Sequence, residues 1–184
     1  MEGPLTGTRV VDLSQYIAGP DCGRIMAGFG ADVIKVEPPD GDPVRRWGPF
    51  TDATPNPETG ALHLYLNQGK RSVTLDIETA DGRAILRELL ATADVLIESF
   101  RPGALAELGF GYEQLEEEFP GLLYVSVTPF GQTGPYAQYH AWEITTYALS
   151  GLMYITGEPD REPLKNGGYL GQYPVTNFQF RILG

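Results

Sequence analysis

Acidic side chains follow the second apolar run of the sequence, in "GFGADVIKVEPPDGD" (residues 28–42), where Glu37, Asp40 and Asp42 lie close together. A glycine-punctuated helix end that leads into an apolar strand, and from there into a loop with acidic residues, is typical of a nucleotide-binding βαβ unit. The segment therefore predicts a ligand at the end of this strand. It leaves open whether that ligand is a dinucleotide.

The dinucleotide fingerprint itself is missing. G-x-G-x-x-G should directly follow the first strand and open a helix, but "SQYIAGP" (residues 14–20) stands there. Gly28 and Gly30 come at the far end of the helix, where capping explains them. No phosphate-binding G-x-x-x-x-G-K-[ST] motif occurs, since "NQGKRS" (residues 67–72) lacks the first glycine. The sequence therefore argues against NAD and ATP as ligands.

Metal sites and nucleophile–histidine arrangements find equally little support. The chain has two histidines, His63 and His140, far apart in sequence and outside any H-E-x-x-H motif. Its single cysteine, Cys22, excludes an internal disulfide and a cysteine-rich metal site. No G-x-S-x-G nucleophile elbow is present. We expect no metal.

Charge and composition narrow the class of protein. The chain has 184 residues, a net charge of −11 and 42% hydrophobic residues, which suits one domain with a substantial core. The acidic balance excludes a typical nucleic-acid surface and disfavours anionic membranes. No apolar run reaches the roughly 18 residues of a membrane span, and the N-terminus lacks the pattern of a secretory signal. We expect a soluble cytoplasmic protein.

Short apolar runs alternate with helical segments, which predicts an α/β fold with an open, mostly parallel sheet and helices on both faces. The strands are predicted at residues 8–13, 31–36, 71–76, 94–98 and 122–127. Helices are predicted from Pro20, over residues 79–93 with Ile85, Leu86, Leu89 and Leu90 on one face, and over residues 141–155, with two short helical turns between residues 101 and 120. Ligands bind beyond the carboxyl ends of such strands. The predicted site segments are Ser14–Ala18, Glu37–Asp42, Ser99–Arg101 and Thr128–Gly131.

Five segments in this order carry a family resemblance: "LTGTRVVDLSQYIAGP", "GFGADVIKVEPPDGD", "LNQGKRSVTLDI", "DVLIESFRPGALAELGF" and "VTPFGQTGPY". Together they resemble the amino-terminal part of the class III CoA-transferases, the family of formyl-CoA and carnitine CoA-transferases and of 2-methylacyl-CoA racemase. The resemblance runs from about residue 4 to residue 173. It implies a Rossmann-like sheet that holds coenzyme A rather than a dinucleotide, with an acyl-CoA and an acceptor carboxylic acid as substrates.

The resemblance also implies a larger assembly. Members of the family are considerably longer, and two subunits thread through each other as interlocked rings, with a small domain from the carboxyl half. Residues 1–184 are then expected to be the amino-terminal portion of the large domain, without the small domain and the carboxyl half. We expect a homo-oligomer or a homologous partner chain.

The same resemblance assigns coenzyme A contacts to eight residues: Tyr16, Ile17, Leu66, Lys70, Ser99, Phe100, Arg101 and His140. Leu66 would lie at the adenine and Lys70 at a phosphate, whereas Pro38 replaces an arginine that contacts coenzyme A in some members. Arg45 and Arg46 could meet the phosphates, although we favour the simpler role of offsetting the neighbouring aspartates.

Ordinary structural roles are open for several of these residues. Lys70 and Arg71 could form a solvated pair at a strand start. Arg101 could cap the short turn after Phe100, and Tyr16 could pack under the first helix.

The family resemblance implies a catalytic aspartate that attacks the thioester and forms covalent intermediates. The matching position in "NGGYLGQYPVTN" is Gln172, a neutral amide. A second, acidic position of the family is kept as Glu143. The alternative for Glu143 is an ordinary solvated helix residue. A racemase would need a His–Asp pair, but Trp142 and Gln172 occupy those positions. The chain is therefore predicted to bind coenzyme A or acyl-CoA with its own turnover in question. The alternatives are a non-catalytic partner of an active homologue and a racemase-like isomerase.

Overall fold

A single all-parallel sheet forms the centre of the protein in the computed structural model, which describes residues 3–52 and 54–173. Its five strands are β1 (Arg9–Asp12), β2 (Asp32–Glu37), β3 (Arg71–Thr74), β4 (Val95–Glu98) and β5 (Leu123–Ser126). They lie in the order β3-β2-β1-β4-β5, the order that begins the classic doubly wound fold. All five predicted strands, and their parallel arrangement, are confirmed.

Six helices connect or follow these strands. They are α1 (Ala18–Gly28), α2 (Ala61–Leu66), α3 (Ala80–Leu90), α4 (Ala104–Glu107), α5 (Tyr112–Glu118) and α6 (Glu143–Leu149), and a 3₁₀ turn covers Pro43–Arg46. Sequence patterns did not predict the 3₁₀ turn, because the proline- and glycine-rich composition of residues 38–61 hides it. They did not predict α2 either, which has only six residues.

Helices cover both faces of the sheet, as the alternation of side chains along the strands requires. Val10 on β1 packs in a cluster with Met26 of α1 on one face. Its neighbour Val11 points the other way, into a cluster with Leu86 of α3 and Leu115 of α5. Both faces are therefore buried, which explains why the strands consist of continuous apolar runs.

Two helices differ from the predicted ones in instructive ways. The Thr79 hydroxyl caps the start of α3 by accepting a hydrogen bond from the Gly82 N–H at 3.0 Å. Within the helix, Leu86 and Leu90 are buried but Ile85 is 46% exposed. The apolar face is thus narrower than predicted. The helix predicted over residues 141–155 ends at Leu149, and Gly151 follows with a φ of +80°, a left-handed conformation that stops a helix.

Within the described residues, every helix is too short or too polar to cross a membrane.

Candidate functional site

A groove of about 660 Å³ opens at the carboxyl ends of the strands, where the loops after β1, β2 and β4 separate. The parallel sheet creates it, because the neighbouring strands β1 and β4 lead to helices on opposite faces, α1 and α4. The lining residues are Leu13, Gln15, Val36, Glu37, Pro38, Pro39, Asp40, Leu75, Asp76, Ile77, Glu78, Phe100, Arg101, Ala104, Glu107 and Leu108. Among them Arg101 is the one basic side chain.

Two acidic residues at and after the end of β2, Glu37 and Asp42, form hydrogen bonds and ion pairs within the protein. Glu37 accepts two hydrogen bonds from Arg45, at 2.8 and 2.7 Å. Burial alone would raise the pKa of Glu37, but the bonds from Arg45 and from the Asp42 N–H outweigh it and lower the pKa to about 2. Asp42 pairs with Lys35 at 3.2 Å and caps the 3₁₀ turn through the Val44 N–H. Glu37 and Asp42 therefore hold the loop in place through contacts within the protein.

Lys70 is buried, which excludes the solvated pair with Arg71. Its ammonium donates to Asp12 Oδ2 and Pro20 O at 2.7 Å and to Asn67 Oδ1 at 3.0 Å. A phosphate contact from Lys70 would require this ion pair to open. Burial alone would raise the pKa of Asp12, but the positive charges of Lys70 and Lys35 outweigh it and hold the pKa below its usual value.

Sequence reasoning missed that Asp12 and Lys35 are each in a buried ion pair, Asp12 with Lys70 and Lys35 with Asp42. The signal was available, because both stand inside strands predicted to be buried, and a charged side chain in such a position almost always has a partner.

Two side chains hold the loop that follows β1. The Ser99 hydroxyl accepts a hydrogen bond from the Gln15 N–H at 2.7 Å, and Lys35 donates to the Ser14 carbonyl. Beyond them Tyr16 has a φ of +66° and is 37% exposed. Its ring lies beside the rings of Trp47 and Trp142, and the residue is not buried under α1 as one alternative had it.

Ile17 and Leu66 are both fully buried and belong to one small cluster with Val44. Their side chains pack against each other across the start of α1 and the end of α2. An adenine contact at Leu66 would therefore need this cluster to open.

Phe100 and Arg101 both line the groove. Phe100 is partly buried against the core, and its N–H donates to Glu98 Oε2 at 2.7 Å. The Arg101 side chain is 58% exposed and pairs with Glu107 at 2.8 Å, so its guanidinium lies within reach of an anionic ligand. Burial raises the pKa of the neighbouring Glu98, in spite of the donors around it.

Glu143 and Gln172, separated by 29 positions, are brought to one corner of the protein. Glu143 is buried, with 7% exposure, and its Oε1 accepts from the Gly171 N–H at 2.8 Å. Its Oε2 has no hydrogen-bond partner among the described residues. A Cβ at Gly171 would lie 3.2 Å from Oε1, so a glycine permits this close approach. The alternative that Glu143 is simply a solvated helix residue is therefore wrong. His140, one of the residues that the family resemblance assigned to coenzyme A, is exposed.

The sheet and groove define the class of protein: an α/β protein that offers its ligand site at the carboxyl edge of a parallel sheet. The sequence profile of CoA-transferase family III matches residues 5–178, and the chain belongs to that family.

Relatives of known activity and a solved structure agree with this assignment. The succinate–glutarate CoA-transferase of Agrobacterium fabrum is 43% identical, over 98% of this chain and 47% of its own length. The succinyl-CoA:(R)-benzylsuccinate CoA-transferase subunit BbsE of Thauera aromatica is 44% identical, over 85% of this chain and 38% of its own length. A CAIB/BAIF family protein from Brucella suis superimposes with a TM-score of 0.93 at 42% identity, over all of this chain and 48% of that one. The chain thus spans about half the length of the relatives it matches.

Proposed function

We propose that this chain binds coenzyme A thioesters in the groove at the carboxyl edge of its sheet. It would do so as the amino-terminal part of a protein that transfers coenzyme A between a thioester and a carboxylic acid. The observation that carries the proposal is the groove itself, with Phe100 and Arg101 on its wall. An aromatic side chain and an exposed guanidinium suit a ligand that combines an apolar arm with phosphates.

The electrostatics of the groove make Arg101 the main phosphate contact in this proposal. Five acidic residues also line the groove: Glu37, Asp40, Asp76, Glu78 and Glu107. Arg45 neutralises Glu37, and Arg101 itself pairs with Glu107. A bound phosphate would therefore compete with Glu107 for the guanidinium.

We further propose that the chain forms no covalent intermediate at position 172, because the neutral amide of Gln172 cannot act as the carboxylate nucleophile of the family. This favours a role as a non-catalytic partner of an active homologous chain. One 44% identical relative is named as a subunit of a CoA-transferase, which is in keeping with a transferase built from more than one kind of chain.

Calorimetric titration of the chain with coenzyme A, succinyl-CoA and NAD tests the proposal. We expect both coenzyme A compounds to bind and NAD not to bind. Arg101→Ala should weaken coenzyme A binding about 3- to 10-fold, since a charge-assisted contact is lost. The matched control is Arg71→Ala, which removes an equally exposed arginine with one carboxylate partner on the opposite edge of the sheet. A wild-type chain that fails to bind coenzyme A would refute the proposal.

A further inference from the structure

Four aromatic rings meet beside the Glu143–Gly171 corner, and we call them the aromatic wall. Tyr16 and Trp47 lie with ring centroids 5.8 Å apart, and Tyr16 meets Trp142 edge-on at 6.4 Å. Tyr169 stacks on Trp47 at 5.6 Å with an interplanar angle of 17°. These residues come from four separate segments of the chain, so the tertiary fold alone assembles them.

The aromatic wall adjoins the position where the family places its reacting group. Trp142 directly precedes Glu143, and Tyr169 stands two residues before Gly171, whose N–H binds the Glu143 carboxyl group at 2.8 Å. Trp142 nevertheless remains 66% exposed. Trp142 is thus open to a ligand beside a buried carboxyl group, whereas Trp47 and Tyr169 are partly buried.

The backbone is strained at Tyr16, one of the four residues of the wall. Its φ of +66° is the one positive φ of a non-glycine residue in the described chain. A bulky residue in this conformation is unusual, and such strain tends to mark functional sites. The surrounding contacts fix it, because the Asp42 carboxylate accepts from the Tyr16 N–H at 3.3 Å and Ser99 holds Gln15.

We infer that the acyl group of the bound thioester packs against the aromatic wall, so that this chain prefers an aromatic or branched apolar acyl group to a short dicarboxylic one. The inference rests on the proposed binding of coenzyme A thioesters. Exposed ring faces and edges favour apolar and aromatic groups. Beside the wall lies the Glu143 carboxyl group, which offers a second carboxylate no ionic partner.

Tryptophan fluorescence reports on this surface directly, because both tryptophans of the chain, Trp47 and Trp142, belong to the aromatic wall. The probes are benzoyl-CoA, succinyl-CoA, coenzyme A and benzoyl-pantetheine, which has the acyl group but no adenine. We expect the two benzoyl compounds to shift or quench the emission, and benzoyl-CoA to bind about tenfold more tightly than succinyl-CoA.

Variants measured by calorimetry separate the wall from the groove. Trp142→Ala should weaken benzoyl-CoA binding about tenfold and leave coenzyme A binding unchanged, whereas Trp142→Phe should keep most of the affinity. Tyr154→Ala removes an aromatic residue that is 92% exposed outside the wall, and it serves as the control.

Three outcomes are distinguishable. If coenzyme A and succinyl-CoA change the emission as much as benzoyl-CoA, while benzoyl-pantetheine does not, the wall holds adenine and the inference is wrong. If all three coenzyme A compounds bind with equal affinity, the inference fails and the proposed function stands. If none of them binds, the proposed function fails as well.

Discussion

Tyr16 shows how a single residue can be placed for function at a cost in conformational energy. Left-handed backbone costs a non-glycine residue about 1–2 kcal/mol. The loop after β1 maintains it through hydrogen bonds that the Gln15 and Tyr16 N–H groups donate to Ser99 and Asp42. The residues that looked like ligand contacts in sequence, Glu37 and Asp42, act instead on the backbone of this loop and the next. Glu37 and Asp42 thus have structural roles.

Comparing glycine with alanine at position 16 isolates the backbone strain. Both variants remove the ring, but glycine adopts a positive φ freely, so Tyr16→Gly should be about 1 kcal/mol more stable than Tyr16→Ala. Urea unfolding measures the difference. At Tyr154, where φ is not positive, the order should reverse, and the same order at both sites would contradict the argument.

Glu37 should contribute a pH-dependent part of the stability. Its folded pKa of about 2 lies below its ordinary value of 4.5, so the contribution is fully present above about pH 4.5 and is lost as the pH falls toward 2. Glu37→Gln should therefore cost about 3 kcal/mol at pH 7 and progressively less below pH 4.5.

Urea unfolding at pH 7, 4 and 3 checks this. Glu107→Gln, which breaks the exposed pair with Arg101, is the control and should change the free energy of unfolding by less than about 1 kcal/mol at every pH. A loss at Glu37 that stays constant over this range would show that lost packing, and not charge, explains it.

At the scale of elements, one buried ammonium joins three parts of the fold. Lys70 stands directly before β3 and binds Asp12 at the end of β1, the Pro20 carbonyl in α1 and Asn67 after α2. These elements must be correctly placed before its three N–H groups are all satisfied. The ion pair thus specifies how α1, α2 and the sheet edge meet.

Breaking this pair from one side should be severe. Lys70→Met leaves the buried Asp12 carboxylate without its ion-pair partner and should cost about 3–5 kcal/mol. Adding Asp12→Asn to that variant removes the unpaired charge and should recover a large part of the loss. Chemical unfolding of both variants is the measurement.

The control is Arg71→Met. Arg71 stands next to Lys70 in the sequence, but its side chain is 61% exposed, so its loss should lower the free energy of unfolding by about 1 kcal/mol or less. If the Lys70 single and double variants were equally unstable, the charge on Asp12 would not be the cause.

At the scale of the whole molecule, apolar side chains are unevenly distributed. From residue 136 to residue 170 many of them are largely exposed: Tyr136, Tyr139, Trp142, Ile144, Leu149, Leu152, Tyr154, Ile155, Leu164 and Leu170. Apolar surface of this extent is uncommon on monomeric proteins and favours association. The region includes α6 and the segment that leads to Gly171, so association would affect the candidate site directly.

We expect the chain to sediment as a dimer or larger species. Ile144→Lys combined with Leu149→Lys, on α6, should shift it toward the monomer, because a charge in an apolar interface is costly. Ile85→Lys, at a similarly exposed apolar position on α3, should leave the sedimentation coefficient unchanged. A wild-type monomer at high concentration would contradict this expectation.

The sequence by itself determined the strands, their parallel arrangement and the family, because buried strands are apolar runs and the family motifs are local. It also brought out Glu143 and Gln172 as a pair worth examining. Only the tertiary structure decided what the polar residues do, since an ion pair such as Asp12–Lys70 joins positions 58 residues apart. The same holds for the aromatic wall, whose rings come from four segments. Local periodicity reports which side of an element is buried, whereas the partner of a charge or a ring depends on how the elements pack.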